Sequence, residues 1–231
     1  MPLAATLPSA RTWRRLTVWL HVLTSVGWMA LAASLAALLA LATADPAARG
    51  PALLAADHLD AVLLAPLAVG SALTGIVLAA ATPYGFFHHW WVTVKFAITL
   101  VQLYLGIFLL SGMLGDAHAD PASAPPATLL VTTLLMASAI AFQAWASIAK
   151  PWGRTPWSAD RPKPAAGPRW MFAAACAAVV ADLTLGFVAA NPMPVASVVV
   201  LVAVLVGRRR VSAPVRTRAS RRTAGSTSPV P

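Results

Sequence analysis

Long apolar stretches, separated by short polar segments, run through the whole chain. They cover residues 18–42, 61–81, 91–114, 129–148 and 170–190. An α-helix rises ~1.5 Å per residue, so about 20 apolar residues cross the ~30 Å hydrocarbon core of a bilayer. Each stretch meets that length and predicts a spanning helix. The first exceeds it and predicts a tilt. Arg11, Arg14 and Arg15, a following apolar run and Ala42-Thr43-Ala44 also match the layout of a secretory signal peptide. The apolar region of such peptides is only ~7–15 residues long, so the run is expected to stay in place as a helix. A sixth run, residues 195–206, is shorter. It follows Asn191-Pro192-Met193-Pro194, where each proline removes a donor and restricts its predecessor. It is read as the return arm of a C-terminal hairpin, either crossing or re-entrant; crossing, the preferred reading, makes six spans.

Within the second stretch Pro66 predicts a kink, and Gly70, Ser71, Thr74 and Gly75 predict a small-residue face for close helix approach. Composition agrees with this pattern. The chain has 231 residues, is 59% hydrophobic and 10% charged, and has a mean hydropathy of +0.74. A soluble domain carries about 25% charged residues, so a water-exposed globule is excluded. The fold class expected is an all-α polytopic transmembrane bundle. Its organisation is a basic N-terminus (1–17), a four-span core (18–157), a basic linker (158–169), a transmembrane hairpin (170–207) and a disordered basic tail (208–231). The lone Cys176 excludes an internal disulfide and a Cys-based metal site.

Charge orients the spans. Arg11, Arg14 and Arg15 precede the first, and Lys150, Arg154, Arg161, Lys163 and Arg169 follow the fourth. Asp45, Asp57, Asp60, Asp116 and Asp120 fall in the alternate loops, with Arg49. Cationic loops stay cytoplasmic, so both termini are expected in the cytoplasm of a bacterial plasma membrane. Arg208, Arg209, Arg210, Arg216, Arg218, Arg221 and Arg222 have no aromatic residue among them. They are read as an anchor for anionic lipid headgroups rather than as a nucleic-acid site.

The chain contains no phosphate-binding glycine loop, nucleophile triad or metal-spacing motif. Candidate chemistry therefore rests on polar residues inside the spans, which are costly there. His21 shares a helix face with Thr24, Ser25 and Trp28. Lys95 opens the third span, with Gln102 on its face, and Gln143 and Asp182 lie in the fourth and fifth. Asp182, Gln102 and Gln143 form a candidate ion or proton site. His88 and His89, beside Trp90 and Trp91, are expected to be solvated at an interfacial belt. His58 and His118 lie in separate outer loops, with nothing else to support a surface metal site.

From His21-Val-Leu-Thr-Ser-Val-Gly-Trp28 onward the chain resembles uncharacterised four-span membrane proteins of high-GC Gram-positive bacteria. The likeness continues through residues 66–75, through Thr82-Pro83-Tyr84-Gly85-Phe86-Phe87-His88-His89-Trp90-Trp91 to Lys95, and through Lys150-Pro151-Trp152-Gly153-Arg154-Thr155-Pro156. It covers about residues 12–157, not the final third. A weaker resemblance is to CopD-type copper-resistance proteins and HemJ-type protoporphyrinogen oxidases, which place a His seven residues before a Trp in an early span. The HemJ type also has a Lys opening a later span. That resemblance implies haem b on His21, with Trp28 and Lys95 completing the cofactor site. A neutral imidazole is a suitable axial ligand, and a lysine at similar depth suits a propionate. Three functions follow: a haem-binding or redox protein, a small transporter or copper-handling permease, and a non-catalytic membrane scaffold.

Overall fold

The computed structural model describes residues 8–122, 126–158, 164–189 and 194–212. It is an all-α bundle of six helices: α1 Ala10–Ala44, α2 Arg49–Ala81, α3 Trp90–Ala119, α4 Pro126–Ala149, α5 Arg169–Ala189 and α6 Val195–Ser212. The first five are long and apolar enough to cross a membrane, and the apolar part of α6 is shorter. The tail arginines Arg216, Arg218, Arg221 and Arg222 lie outside the described residues.

Several boundaries move from those expected. α1 begins eight residues early, at Ala10, because Ser9 accepts the Thr12 N–H at 3.2 Å and caps it. The basic N-terminal segment is therefore helical from Ala10. α6 likewise continues to Ser212, past the expected start of the tail. The largest change is in α2. The segment expected to be a loop before residue 61 is helical from Arg49, and it buries Ala52, Leu53 and Ala56. These pack on Leu35, Leu39 and Ala42 of α1, Leu114 and Ala117 of α3, and Leu129 of α4. This apolar cluster lies at the end of the bundle away from the N-terminus. It makes Arg49–Leu59 helical even though Arg49, Asp57 and His58 interrupt its hydropathy.

Both α2 and α3 contain a π-turn, at Asp60–Leu64 and Gly106–Leu110. The first answers Pro66. A proline ring clashes with the carbonyl four residues back, and the chain widens by one residue just before it. Ala65 N–H then donates to Asp60 O, five residues away.

α2 is the hub. It packs on α1, α5 and α6, while α1 also packs on α4. α3 is peripheral, meeting α2 mainly at the far end and α4 along its length. The small-residue face of α2 does what its composition predicts. A side chain at Gly70 would meet Val179 of α5 at 3.1 Å and Thr24 of α1 at 3.4 Å, and one at Gly75 would meet the His21 ring at 3.1 Å.

At the N-terminal end the loops 82–89 and 150–158 are tied together. His88 O accepts from Thr155 N–H at 3.1 Å, Phe87 O accepts from Trp157 Nε1 at 2.8 Å, and Trp90 stacks edge-on against Trp157. Lys150 and Trp152 take positive φ to make the bend. The two loop stretches that carry the family resemblance are thus one structural unit. His88 is not solvated as expected, because its Nε2 is buried.

Candidate functional site

Two polar seams run through the half of the bundle nearer the N-terminus. The first joins α1 to α2. His21 Nδ1 lies 3.1 Å from Ser71 O and 3.0 Å from Thr74 Oγ1. A carbonyl oxygen only accepts, and the Thr74 hydroxyl donates to Gly70 O at 2.7 Å. Nδ1 must therefore carry the proton, which leaves Nε2 with its lone pair. Ser25 and Ser71 hydroxyls bond at 2.7 Å one turn further on. The absence of a Cβ at Gly75 lets the imidazole lie against α2.

The second seam joins α3 to α4. Thr99 Oγ1 donates to Gln143 Oε1 at 2.9 Å, Gln143 Nε2 donates to Gln102 Oε1 at 2.5 Å, and Gln102 Nε2 donates to Met136 O at 3.0 Å. Lys95 Nζ donates to Ser147 Oγ, which donates to Gln143 O at 2.9 Å. Positions 95, 99 and 102 recur at helical spacing, so one stripe of α3 meets one stripe of α4. Gln102 and Gln143 are only 3% and 8% exposed. Their amides consume one another's polarity, as an apolar layer demands.

Gln143→Leu strands the Thr99 hydroxyl and Gln102 Oε1. It is expected to cost about 1–3 kcal/mol, read as a lower midpoint in a detergent-to-SDS unfolding titration. The double variant Gln102→Leu/Gln143→Leu should lose less than the two single losses added. Strict additivity would show that the amides do not act as a pair.

The residues singled out from sequence fall in different places. Lys95, in the first turns of α3, and His21, near the start of α1, both lie in the half of the bundle nearer the N-terminus. Trp28 instead sits in an apolar cluster with Ala32, Ala68 and Ile140. Asp182 is not brought together with Gln102 and Gln143. Both of its carboxylate oxygens accept backbone N–H groups at the start of α6, Ala196 at 3.0 Å and Ser197 at 2.8 Å. It is the cap of that helix. Thr99, Ser147, Asp60 and Ser111 were missed as site residues. Thr99 and Ser147 are weak hydropathy signals within apolar runs; spacing from Lys95 and Gln143 could have found them.

Among the described residues no group of three or more His, Cys or Asp side chains is placed to hold a metal ion. Compared with known proteins, the chain matches no family model, no curated protein and no solved structure.

Proposed function

We propose that the chain is a multi-pass protein of the bacterial plasma membrane that binds haem b, with His21 as the single protein ligand to the iron. The observation that carries this is the locked tautomer. The Nδ1–H donates to Ser71 O and leaves the Nε2 lone pair free, the kind of hydrogen bond that orients a metal-binding histidine. A porphyrin brings four nitrogens of its own, so one imidazole suffices where a protein-only metal centre would need several side chains. The donor chemistry of the seam fits this group. Lys95, in the same half of the bundle, keeps two ammonium protons beyond its bond to Ser147 and would pair with a propionate. Bound there, the iron would supply one-electron or ligand-exchange chemistry. The chain's own residues hold the imidazole's proton on Nδ1, orient its ring and, through Lys95, place a positive charge in the same half of the bundle.

The orientation follows from charge. Arg11, Arg14 and Arg15 and the loops 82–89 and 150–158 share one end of the bundle, while Asp45, Asp57, Asp116 and Asp120 lie towards the other. The cationic end faces the cytoplasm. The arginines from Arg208 onward then meet anionic lipid headgroups on that side.

The test is the absorbance spectrum of the protein purified in mild detergent after haem supplementation, oxidised and dithionite-reduced. We expect a Soret band that shifts on reduction, at about one haem per chain, and its loss in His21→Ala at unchanged elution volume. A flat wild-type spectrum, or an unchanged one in His21→Ala, overturns the reading.

A further inference from the structure

A cavity towards the other end of the bundle, with Gln102 of the α3–α4 seam on its wall, holds a further group of polar atoms. It has about 70 Å³ of free space between α1, α2, α3 and α4. Its walls are mostly apolar, Trp28, Leu35 and Leu103 among them, and its polar lining is Asp60, Ser111, Thr133 and Gln102. Both π-turns border it, and such turns concentrate at functional sites.

The α3 turn has a specific consequence. Ser111 is nine residues after Gln102. At ~3.6 residues per turn that is two and a half turns, which would put the two on opposite faces of a regular helix. The extra residue of the π-turn brings Ser111 round to the cavity. There its hydroxyl donates to Asp60 Oδ2 at 2.7 Å. Oδ1 has no partner among the described residues, and no Lys or Arg is paired with this carboxylate. Thr133 gives a second, independent sign. It is 8% exposed and lines the cavity, yet its hydroxyl bonds nothing among the described residues. Its neighbour Thr132, which faces outward, bonds back to the carbonyls of Thr128 and Leu129, the usual fate of a helical threonine.

A carboxylate and the hydroxyl of a buried threonine thus line one small, mostly apolar space, and among the described residues no cation is paired with the carboxylate. A bare inorganic cation wants about six oxygens, more than these walls offer. An alkylammonium matches both halves of the lining, with N–H donors for the two oxygens and carbon for the apolar wall.

We propose that this cavity is a binding site for a small primary alkylammonium, its charge on Asp60 Oδ1, its second hydrogen bond to Thr133 and its chain among Trp28, Leu35 and Leu103. Asp60 is 21 residues from Ala81, or about 32 Å along α2, so the charged end of the site lies towards the end of the bundle away from the N-terminus.

The experiment is isothermal titration of the full chain in detergent with n-propylammonium chloride, against n-propanol and sodium chloride as controls. Saturable binding of n-propylammonium is expected, with n-propanol at least ~10-fold weaker because it lacks the charge. Asp60→Asn should weaken binding at least ~10-fold and Thr133→Val about 3–10-fold. Should Asp60→Asn fail to fold, Thr133→Val and Ser111→Ala carry the test, and binding as in wild type by both overturns the proposal. It is also overturned if n-propylammonium gives no saturable heat, if n-propanol binds equally, if Asp60→Asn binds as wild type does, or if sodium displaces n-propylammonium at equal concentration. The His21 spectrum is independent of every one of these results.

Discussion

Gly167→Ala is expected to loosen α5 from α2 and to cost about 2–4 kcal/mol. Gly167 lies in the linker just before α5, where its N–H donates to Ala81 O at 2.8 Å. A Cβ there would stand 2.5 Å from Ala81 Cβ, 3.0 Å from Ala81 Cα and 3.1 Å from Met171 Sδ. The obstacle is partly backbone, so no rotamer change relieves it. Overpacking of this kind costs ~1–3 kcal/mol and the lost hydrogen bond about 1 more. Gly112→Ala is the matched control, since nothing lies within 4 Å of its added Cβ. Exchanging glycine for alanine inside a helix is neutral to stabilising by up to about 1 kcal/mol. Thermal unfolding in detergent separates the two. Cys176 supplies a local readout: its Sγ lies 3.4 Å from the Thr17 hydroxyl of α1, so maleimide labelling should quicken when α5 loosens. Equal melting of the two variants would refute the close approach.

Asp182→Ala should unfasten the C-terminal hairpin, at about 2–6 kcal/mol. α5 runs on for seven residues beyond Asp182 to Ala189, or about 10 Å. α6, capped by Asp182, therefore starts well short of the end of α5, within the apolar layer. The first N–H groups of a helix have no intrahelical acceptor, and in that layer no water replaces one. The Asp182 carboxylate, 5% exposed, takes two of them and sets a negative charge against the positive end of the helix dipole. Alanine strands both donors at ~1–3 kcal/mol each. Asn keeps one side-chain acceptor and should lose about half as much. Wild-type stability in Asp182→Ala, measured by SDS titration, would mean that the two N–H groups are satisfied elsewhere. This cap also explains how a helix with so short an apolar run packs against α5 and α2.

Much of this organisation was legible in the chain. Hydropathy placed five spans because burial in lipid makes the same demand on every residue of a spanning helix. Gly70, Ser71, Thr74 and Gly75 announced a close contact face, and α1 and α5 occupy it. His21, Lys95, Gln102 and Gln143 stood out because polar groups in such runs are rare. What they bond could not be read, since partners 34 to 53 residues away are set by which helices adjoin.

Asp182 shows the limit from the other side. An aspartate in an apolar run reads as an ion site, and only the return of α6 beside it makes it a helix cap. Asp60 shows the reverse: it reads as a loop charge until α2 extends past it and the α3 π-turn rotates Ser111 onto it.

Residue patterning alone accounts for the fold class, the five long spans, the segregation of charge between the two ends and the small-residue face of α2. Each is a property of a local stretch and its affinity for water or lipid. The tertiary structure alone decided the helical start of α2, the two π-turns, the pairing of Gln102 with Gln143, the tautomer of His21, the cap on α6 and the Asp60 cavity. Each of these depends on atoms that meet across helices, where the geometry of the neighbour decides which polar group is satisfied and which is left open.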